Sequence, residues 1–212
     1  LVGSEMCIRD RTYPLQEDCE LTFYTLEDAE GIEAMRHTAA HVLAQALTRL
    51  YPQVLLTIGP VIDNGFYYDI DLDESISEVD LNKIEKEMKK IQSENLDIVK
   101  ENVSYDEAKA LFKDNPYKLE IIEQYQGEQL SVYRQGEFLD LCVGPHVPNT
   151  KFVKHVKLTK VSGAYWRGDS DNKMLQRIYG VAFQSQAQLD DYFEFLREAE
   201  ARNHRKLGKQ LK

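Results

Sequence analysis

Two pairs of residues in this chain have the types and the spacing that metal binding or acid–base catalysis requires. His37 and His41 are four positions apart in a segment rich in Ala and Leu and free of Pro and Gly. A helix there would direct both imidazoles to one side. Cys142 and His146 are also four positions apart, but a Gly-Pro dipeptide lies between them and predicts a loop. Brought together, the helical pair and the loop pair would form one four-residue site.

Two kinds of chemistry fit a set of three imidazoles and one thiol. The set would suit a tetrahedral Zn²⁺, which is structural when all four ligands are protein and catalytic when one position stays open. Without a metal, the same groups could act as general acids and bases around a water. The spacing does not separate these alternatives. Each pair also has a structural explanation. The arc that holds His37 and His41, opposite the predicted apolar arc, could simply be exposed to solvent, and a lone cysteine is commonly buried and inert.

Four further residues are candidates with two interpretations each. Asp140 is either a turn residue or an anchor for a substrate amine. Lys118 is either a surface lysine or a cation near a developing oxyanion. Tyr67 and Tyr68 alternate across a predicted strand, so one is expected to face the core and the other a cleft.

The composition indicates a globular protein and excludes two broad function classes. The chain has 212 residues, of which 42% are hydrophobic and 29% charged, as is typical of a globular domain with a substantial core. No apolar run approaches the ~18 residues of a membrane span. The net charge of −10 argues against wide, non-specific nucleic-acid binding. Three scattered cysteines make no disulfide framework and indicate a reducing compartment.

Hydrophobic periodicity and turn signals predict an α+β fold, an antiparallel sheet with helices packed on it. Helices are expected over residues 34–50, 77–96, 104–112, 117–125 and 186–201. Strands are expected over residues 21–25, 54–58, 66–70, 97–103, 130–134, 138–141, 157–166 and 174–183, the last two as a hairpin. Ser104 and Glu107 have capping-box spacing, and Asn64-Gly65 marks a tight turn that needs positive φ.

Both ends of the chain differ in character from the middle. Residues 1–11 look like a leader that is not native to the rest, and we exclude them from the fold prediction. Residues 12–30 would belong to a separate upstream module. Residues 202–212 are basic and are interpreted as a linker that follows the last helix.

Several motifs resemble the N-terminal editing domain of bacterial threonyl-tRNA synthetases, a fold shared with alanyl-tRNA synthetase editing domains. The resemblance runs from about residue 31 to the end of the chain, and its motifs occur in the order and spacing of the family. They are Arg36-His-Thr-Ala-Ala-His41, Ile58-Gly-Pro-Val-Ile-Asp-Asn-Gly-Phe-Tyr-Tyr-Asp69, Asp140-Leu-Cys-Val-Gly-Pro-His-Val-Pro-Asn149, Gly163-Ala-Tyr-Trp-Arg-Gly-Asp169 and Met174-Leu-Gln-Arg-Ile-Tyr-Gly180.

The resemblance implies a deacylase that hydrolyses the ester of mischarged Ser-tRNA(Thr). Residues 31–201 would be the editing domain, residues 12–30 a remnant of a ubiquitin-like N-terminal domain, and residues 202–212 the linker toward a catalytic domain. The ATP site and the catalytic zinc would belong to that domain, which is absent from this sequence. The expected partners are the serine-charged acceptor end of tRNA(Thr) and the catalytic and anticodon-binding domains, in the cytoplasm and away from membranes.

The resemblance also implies the site residues. The four residues of the two pairs would line the cleft, with His37, His41, Lys118, Cys142 and His146 as the catalytic set. His37 and Lys118 would position or activate the water, Asp140 would bind the seryl amine, and Tyr68 and His146 would hold the terminal adenosine or the ester.

Threonyl enzymes of this family edit without a metal and alanyl relatives bind zinc, so the expectation is that no metal is required. If one is bound, its ligands would be His37, His41, Cys142 and His146. The alternatives are a zinc-binding module that only positions RNA, an alanyl-type trans-editing deacylase, and an inert domain.

Overall fold

The structure is a computed structural model that describes residues 17, 18, 20 and 22–210, with side chains through residue 202. The predicted leader, residues 1–11, lies outside the described residues, as do residues 12–16, 19 and 21 of the segment 12–30. Of the strand expected over residues 21–25, residue 22 lies in an isolated β-bridge and residues 23–25 have no regular structure. Within the described part, no helix is both long and apolar enough to cross a membrane.

Five α-helices are present in the described residues, and they correspond to the five predicted from periodicity. They are α1 (Ala29–Leu50), α2 (Glu78–Glu94), α3 (Tyr105–Leu111), α4 (Pro116–Glu123) and α5 (Gln186–Gln210). Local signals fix several of their ends. The Ser104 side chain accepts a hydrogen bond from Glu107 N–H, and the Glu107 carboxylate accepts one from Ser104 N–H, so the predicted capping box is confirmed. Asn115 caps α4 in front of the proline that begins it.

The strands form two antiparallel sheets, which confirms the predicted α+β class. The larger sheet has the order β1-β3-β8-β7, with β2 also paired to β3, and the smaller has the order β4-β5-β6. The strands are β1 (Leu55–Leu56), β2 (Val61–Ile62), β3 (Gly65–Asp71), β4 (Ile98–Val103), β5 (Leu130–Gln135), β6 (Phe138–Leu141), β7 (His155–Tyr165) and β8 (Met174–Phe183). The β7–β8 pair is the predicted hairpin.

The first helix is buried on both of its faces. Its apolar arc belongs to the same core cluster as Phe66 and Ile70 of the large sheet and the apolar stripe of α2. Its polar arc faces the small sheet, where Gln45 donates a hydrogen bond to the backbone oxygen of Gln135. The solvent exposure that would explain histidines on this arc is therefore not observed, and His41 is only 3% exposed. Lying between two sheets, α1 is the element that positions the site.

Two helix ends differ from the sequence-based expectation. The first helix begins at Ala29, five residues before the predicted start, because Asp28 closes a turn in which its carboxylate accepts a hydrogen bond from Thr25 N–H. The predicted domain boundary at residues 30 and 31 thus falls within the first turn of α1. The last helix continues through Gln210 and includes most of the predicted linker, whose Lys- and Arg-rich composition favours helix.

The loop expected at residues 59–65 contains a short hairpin instead of a simple connection. Val61–Ile62 pairs with the start of β3, and Asp63 and Asn64 form a two-residue turn. Asn64 has φ 59°, so the tight turn with positive φ is confirmed. The strand expected over residues 54–58 is reduced to Leu55–Leu56, although Thr57 N–H still donates to the carbonyl of Asp69 in β3 and Asp69 N–H donates to the Ile58 carbonyl.

Candidate active site

A cleft of about 650 Å³ lies between the two sheets, with α1 on one side and α4 at one end. Its volume is in the range of small-ligand sites. Six of the seven predicted site residues line it: His37, His41, Tyr68, Lys118, Asp140 and Cys142. The seventh, His146, lies behind Cys142 and is in contact with it.

The helical pair and the loop pair meet in one cluster. Cys142 Sγ lies 3.3 Å from His37 Nε2 and 3.3 Å from His146 Nε2. The His146 ring is 4.3 Å from the His37 ring and 4.2 Å from the His41 ring, measured between centroids. One nitrogen from each histidine and the sulfur all lie within 4.8 Å of one another. The structure thus brings together the four residues that their spacing singled out.

The loop after β6 is shaped by one glycine. Gly144 has φ +88°, a left-handed conformation that favours glycine, and a Cβ there would lie 2.2 Å from the Tyr133 hydroxyl. With this geometry Gly144 N–H donates to Cys142 Sγ at 3.2 Å. The Gly144–Pro145 peptide bond is cis, and the Pro145 carbonyl lies 3.1 Å from His37 Nδ1. The loop therefore contacts both the thiol and one imidazole of the helix.

The hydrogen bonds and the burial define the protonation states of the cluster. Since the Pro145 carbonyl can only accept, His37 must donate from Nδ1, and a neutral ring then has its lone pair on Nε2. Burial lowers the pKa of His37 and lowers those of His41 and His146 well below the ordinary value. Burial also raises the pKa of Cys142 to about 12. Near neutral pH the cluster is therefore three neutral imidazoles and a thiol, without a thiolate–imidazolium pair.

A buried ion pair forms the second part of the site. Lys118 Nζ lies 2.6 Å from Asp140 Oδ1, and the two side chains are 4% and 3% exposed. Tyr68 is fully buried and its hydroxyl donates to Asp140 Oδ2 at 2.5 Å. Leu141 N–H donates to Oδ1 at 2.8 Å. Lys118 is thus not a surface lysine, and Asp140 is held by three donors.

The two adjacent tyrosines do not divide as predicted between core and cleft. Tyr68 lies on the core side of β3, and its hydroxyl also reaches the cleft. Tyr67 points to the opposite face of the sheet, where Arg177 stacks 3.9 Å from its ring centroid. Gly59 permits the position of Tyr68, since a Cβ on Gly59 would lie 2.3 Å from the Tyr68 ring.

The donor set of the cluster fits a zinc ion chemically. Three imidazoles and a thiol are ligands that Zn²⁺ prefers. His41 Nδ1 is buried and has no hydrogen-bond partner among the described residues, so it is an atom that an ion or a water would satisfy. The residues that would hold an ion are the four that were expected: His37, His41, Cys142 and His146.

Several site residues were missed by the sequence analysis. Thr38 lies between the two helical histidines and contacts His146 Nδ1 at 3.1 Å. Lys100 and Tyr133 are cross-strand neighbours on β4 and β5, and Tyr133 in turn pairs with Asp140 on β6. Strand alternation could have placed Lys100 on the cleft side once Asp140 was assigned there. No local pattern distinguishes Thr38 from any other helical threonine.

The class of protein follows from a comparison with known families. Residues 130–179 match the family described as "Threonyl and Alanyl tRNA synthetase second additional domain". The match extends from β5 into β8 and includes Asp140, Cys142 and His146. The chain therefore contains part of a domain that is found in threonyl and alanyl tRNA synthetases.

Individual relatives show a more specific similarity. The chain is 57% identical over 205 residues to the threonine–tRNA ligase of Thermotoga neapolitana. This alignment covers 95% of the chain and 32% of the ligase. It is 56% identical over 205 residues to threonine–tRNA ligase 2 of Bacillus subtilis, with the same coverage. It is 54% identical over 200 residues to the Clostridium tetani enzyme, covering 93% and 31%. The chain is thus homologous to threonyl-tRNA synthetases, as its motifs indicated, and spans about a third of the length of these relatives.

Proposed function

We propose that residues 31–201 form an editing domain that hydrolyses the ester bond of Ser-tRNA(Thr). One observation carries this proposal: a neutral imidazole with a fixed tautomer and a buried ammonium group line the same cleft. His37 supplies the imidazole, with Nδ1 bound to the Pro145 carbonyl, and Lys118 supplies the ammonium. Homology to threonine–tRNA ligases supports tRNA(Thr) as the partner.

The reaction needs a base and a stabiliser of negative charge. Water attacks the ester carbonyl, and His37 Nε2 accepts the proton that the water loses. The carbonyl oxygen becomes an oxyanion, which Lys118 stabilises by its positive charge. When the ribose oxygen leaves, it takes up the proton from His37. Serine and an uncharged tRNA result, and no acyl group is transferred to Cys142, whose raised pKa keeps it a thiol.

The hydrogen bonds of the ion-pair network limit which groups of the substrate Asp140 and Tyr68 can bind. A carboxylate has about four acceptor sites, and Asp140 already accepts from Lys118, Tyr68 and Leu141. One site is left for the ammonium group of the seryl ester. Tyr68 gives its only proton to Asp140, so toward the substrate it can only accept, for instance from a ribose hydroxyl.

Selectivity for serine follows from the small size of the difference between the two amino acids. One methyl group distinguishes threonine from serine and gives a binding pocket only ~1–3 kcal/mol of discrimination. A second site in which the added methyl displaces the attacking water would multiply that discrimination. Thr57 and Tyr68, both without exposed area, form part of the cleft wall and would limit the room for that methyl group.

The test is a deacylation assay of the purified chain on Ser-tRNA(Thr) and Thr-tRNA(Thr) side by side. The seryl ester should be hydrolysed well above the rate without protein, and the threonyl ester should be spared. The rate should fall with added salt, because the encounter with RNA is electrostatic. Equal rates on both esters would contradict the selectivity, and no hydrolysis of either would contradict the deacylase.

A second candidate is a zinc-binding module that positions RNA without hydrolysing it, and the cluster of four ligand atoms within 4.8 Å favours it. Held by all four residues, Zn²⁺ would be structural; with one position open it would supply a Lewis acid that lowers the pKa of a water. If the acid–base proposal is right, chelator treatment leaves both the fold and the deacylation rate intact. Zinc bound at one ion per chain without any deacylation would favour the RNA-positioning module, whereas activity lost on chelation and restored by zinc would favour a water-activating metal.

A further inference from the structure

The hydroxyl of Thr38 is the centre of a hydrogen-bond junction behind the cleft. Its side chain is fully buried. Oγ1 donates to the Ala34 carbonyl at 2.8 Å, one turn earlier in α1. It also lies 3.1 Å from Val147 N–H and 3.1 Å from His146 Nδ1, both in the loop after β6. Three groups from two distant segments thus meet at one oxygen.

Counting protons at this junction assigns the direction of each bond. A hydroxyl has one proton, and the shortest contact of Thr38 Oγ1 is with the Ala34 carbonyl, which can only accept. The other two contacts must then be accepted by the oxygen, so Val147 N–H and His146 Nδ1–H are both donors. A neutral imidazole has a single proton, which leaves the lone pair of His146 on Nε2, 3.3 Å from Cys142 Sγ.

We propose that Thr38 is a positioning residue that fixes the tautomer and the orientation of His146. Its hydroxyl does for His146 what the Pro145 carbonyl does for His37: it occupies Nδ1–H, so that Nε2 faces the sulfur. Two stacked rings thereby present their lone pairs to the same point. The effect on hydrolysis rests on the proposed deacylase function, whereas the tautomer is a property of the folded protein alone.

The junction is more than the usual bond of a helical threonine. Threonine in a helix commonly donates to the carbonyl four residues earlier, and that bond alone would say nothing about a histidine. At Thr38 two further donors reach the same oxygen from positions 108 and 109 residues away in sequence. Groups that bind the outer nitrogen of a metal-ligating histidine orient the ring and are typically worth 10–100-fold in activity or metal affinity, and we expect an effect of that size for His146.

The chain offers a matched control for this proposal. Thr150 is also fully buried; its hydroxyl donates to the Ile91 carbonyl at 3.1 Å and accepts from Leu96 N–H at 3.0 Å. It therefore has the same kind of junction without a histidine. Thr150→Val should cost the fold about as much as Thr38→Val but leave the site untouched. Thr38→Ser keeps the hydroxyl and should restore the junction.

The experiment records long-range ¹H–¹⁵N correlations of the histidine rings on chelator-treated protein, at about two pH units above the ordinary histidine pKa. The His146 signals are assigned by their loss in His146→Asn. We expect the Nδ1–H tautomer for His146 in the unmodified protein, in Thr38→Ser and in Thr150→Val. Thr38→Val should show a mixture of tautomers and a single-turnover deacylation rate lower by about 10–100-fold.

Two results would overturn the proposal: an Nε2–H tautomer of His146 in the unmodified protein, or an unchanged tautomer and rate in Thr38→Val. If Thr38→Val does not fold, the spectra of the unmodified protein and of Thr38→Ser still decide. If the unmodified protein shows no deacylation at all, the proposed function fails, and the tautomer still tests the role of Thr38.

Discussion

Replacing Lys118 with methionine should destabilise the protein far more than the loss of a surface ion pair. Lys118 Nζ and Asp140 Oδ1 are 2.6 Å apart, and neither side chain exposes more than 4% of its surface. Methionine fills most of the same volume but leaves the Asp140 carboxylate buried without a counter-ion. Breaking a buried pair by removing one partner costs ~3–5 kcal/mol, a large part of the stability of a typical domain.

The assay is urea denaturation, with the midpoint compared at constant slope. Glu101→Gln serves as the control, since Glu101 pairs with Arg134 at 2.6 Å but the two side chains are 37% and 43% exposed. Removal of such an exposed pair should cost below about 1 kcal/mol. The double variant Lys118→Met/Asp140→Asn removes both charges and should cost less than the sum of the two single changes.

A Lys118→Met protein as stable as Glu101→Gln would refute this reasoning, because it would mean that water reaches the pair in solution. Additive costs in the double variant would likewise show that the two charges do not interact. Either result would also weaken the assignment of Lys118 as a fixed cation in the cleft.

Three further predictions concern the cluster. The folded state keeps His37, His41 and His146 neutral because their pKa values are lowered, whereas the same histidines in the unfolded chain take up protons below about pH 6.5. The urea midpoint should therefore be constant above that pH and fall as the pH drops below it. A midpoint that stays flat down to about pH 5 would contradict the burial of the three histidines. Because the pKa of the Cys142 thiol is raised to about 12, Cys142 should be alkylated about a thousandfold more slowly in the folded than in the unfolded protein. Mass spectrometry of the peptide that contains Cys142 follows the labelling, and fast labelling would show an activated thiolate. His37→Ala should lower the single-turnover rate of Ser-tRNA(Thr) deacylation by roughly 10²–10⁴-fold and should change the melting temperature little. A large drop in melting temperature with a normal deacylation rate would show that the histidine is structural.

Local chemistry in the sequence was sufficient to predict the helices. The capping box at Ser104 and the proline at the start of α4 act within one turn of the chain, and periodicity identifies the buried stripe of α2. The ends were less accurate where a tertiary contact or a remote turn decides them. The start of α1 depends on the Asp28 turn, and the two-residue strand β1 depends on its partner β3.

The meeting of the two residue pairs could be predicted, but their environment could not. Spacing singled out His37, His41 and the Cys142 loop because i, i+4 pairs are visible in one sequence. Whether that helix face was exposed or buried depends on the small sheet, whose docking no local pattern records. For the same reason the sequence did not predict the ion pair between Lys118 and Asp140. Each of the two residues had two interpretations until the structure placed them in contact.

The first helix holds the small sheet and its loop at several points along its length. Near its middle Thr38 contacts Val147, and near its end Gln45 and Arg49 bind Glu137. These bonds join residues 88 to 109 positions apart in sequence. Loops of that length close late in folding, because their entropy is lost before their contacts form. The pairing of β3 with β8 is comparably remote in sequence, whereas the β7–β8 hairpin is local. The hairpin should therefore form first, and the cleft should assemble together with the rest of the large sheet in the late, long-range steps of folding.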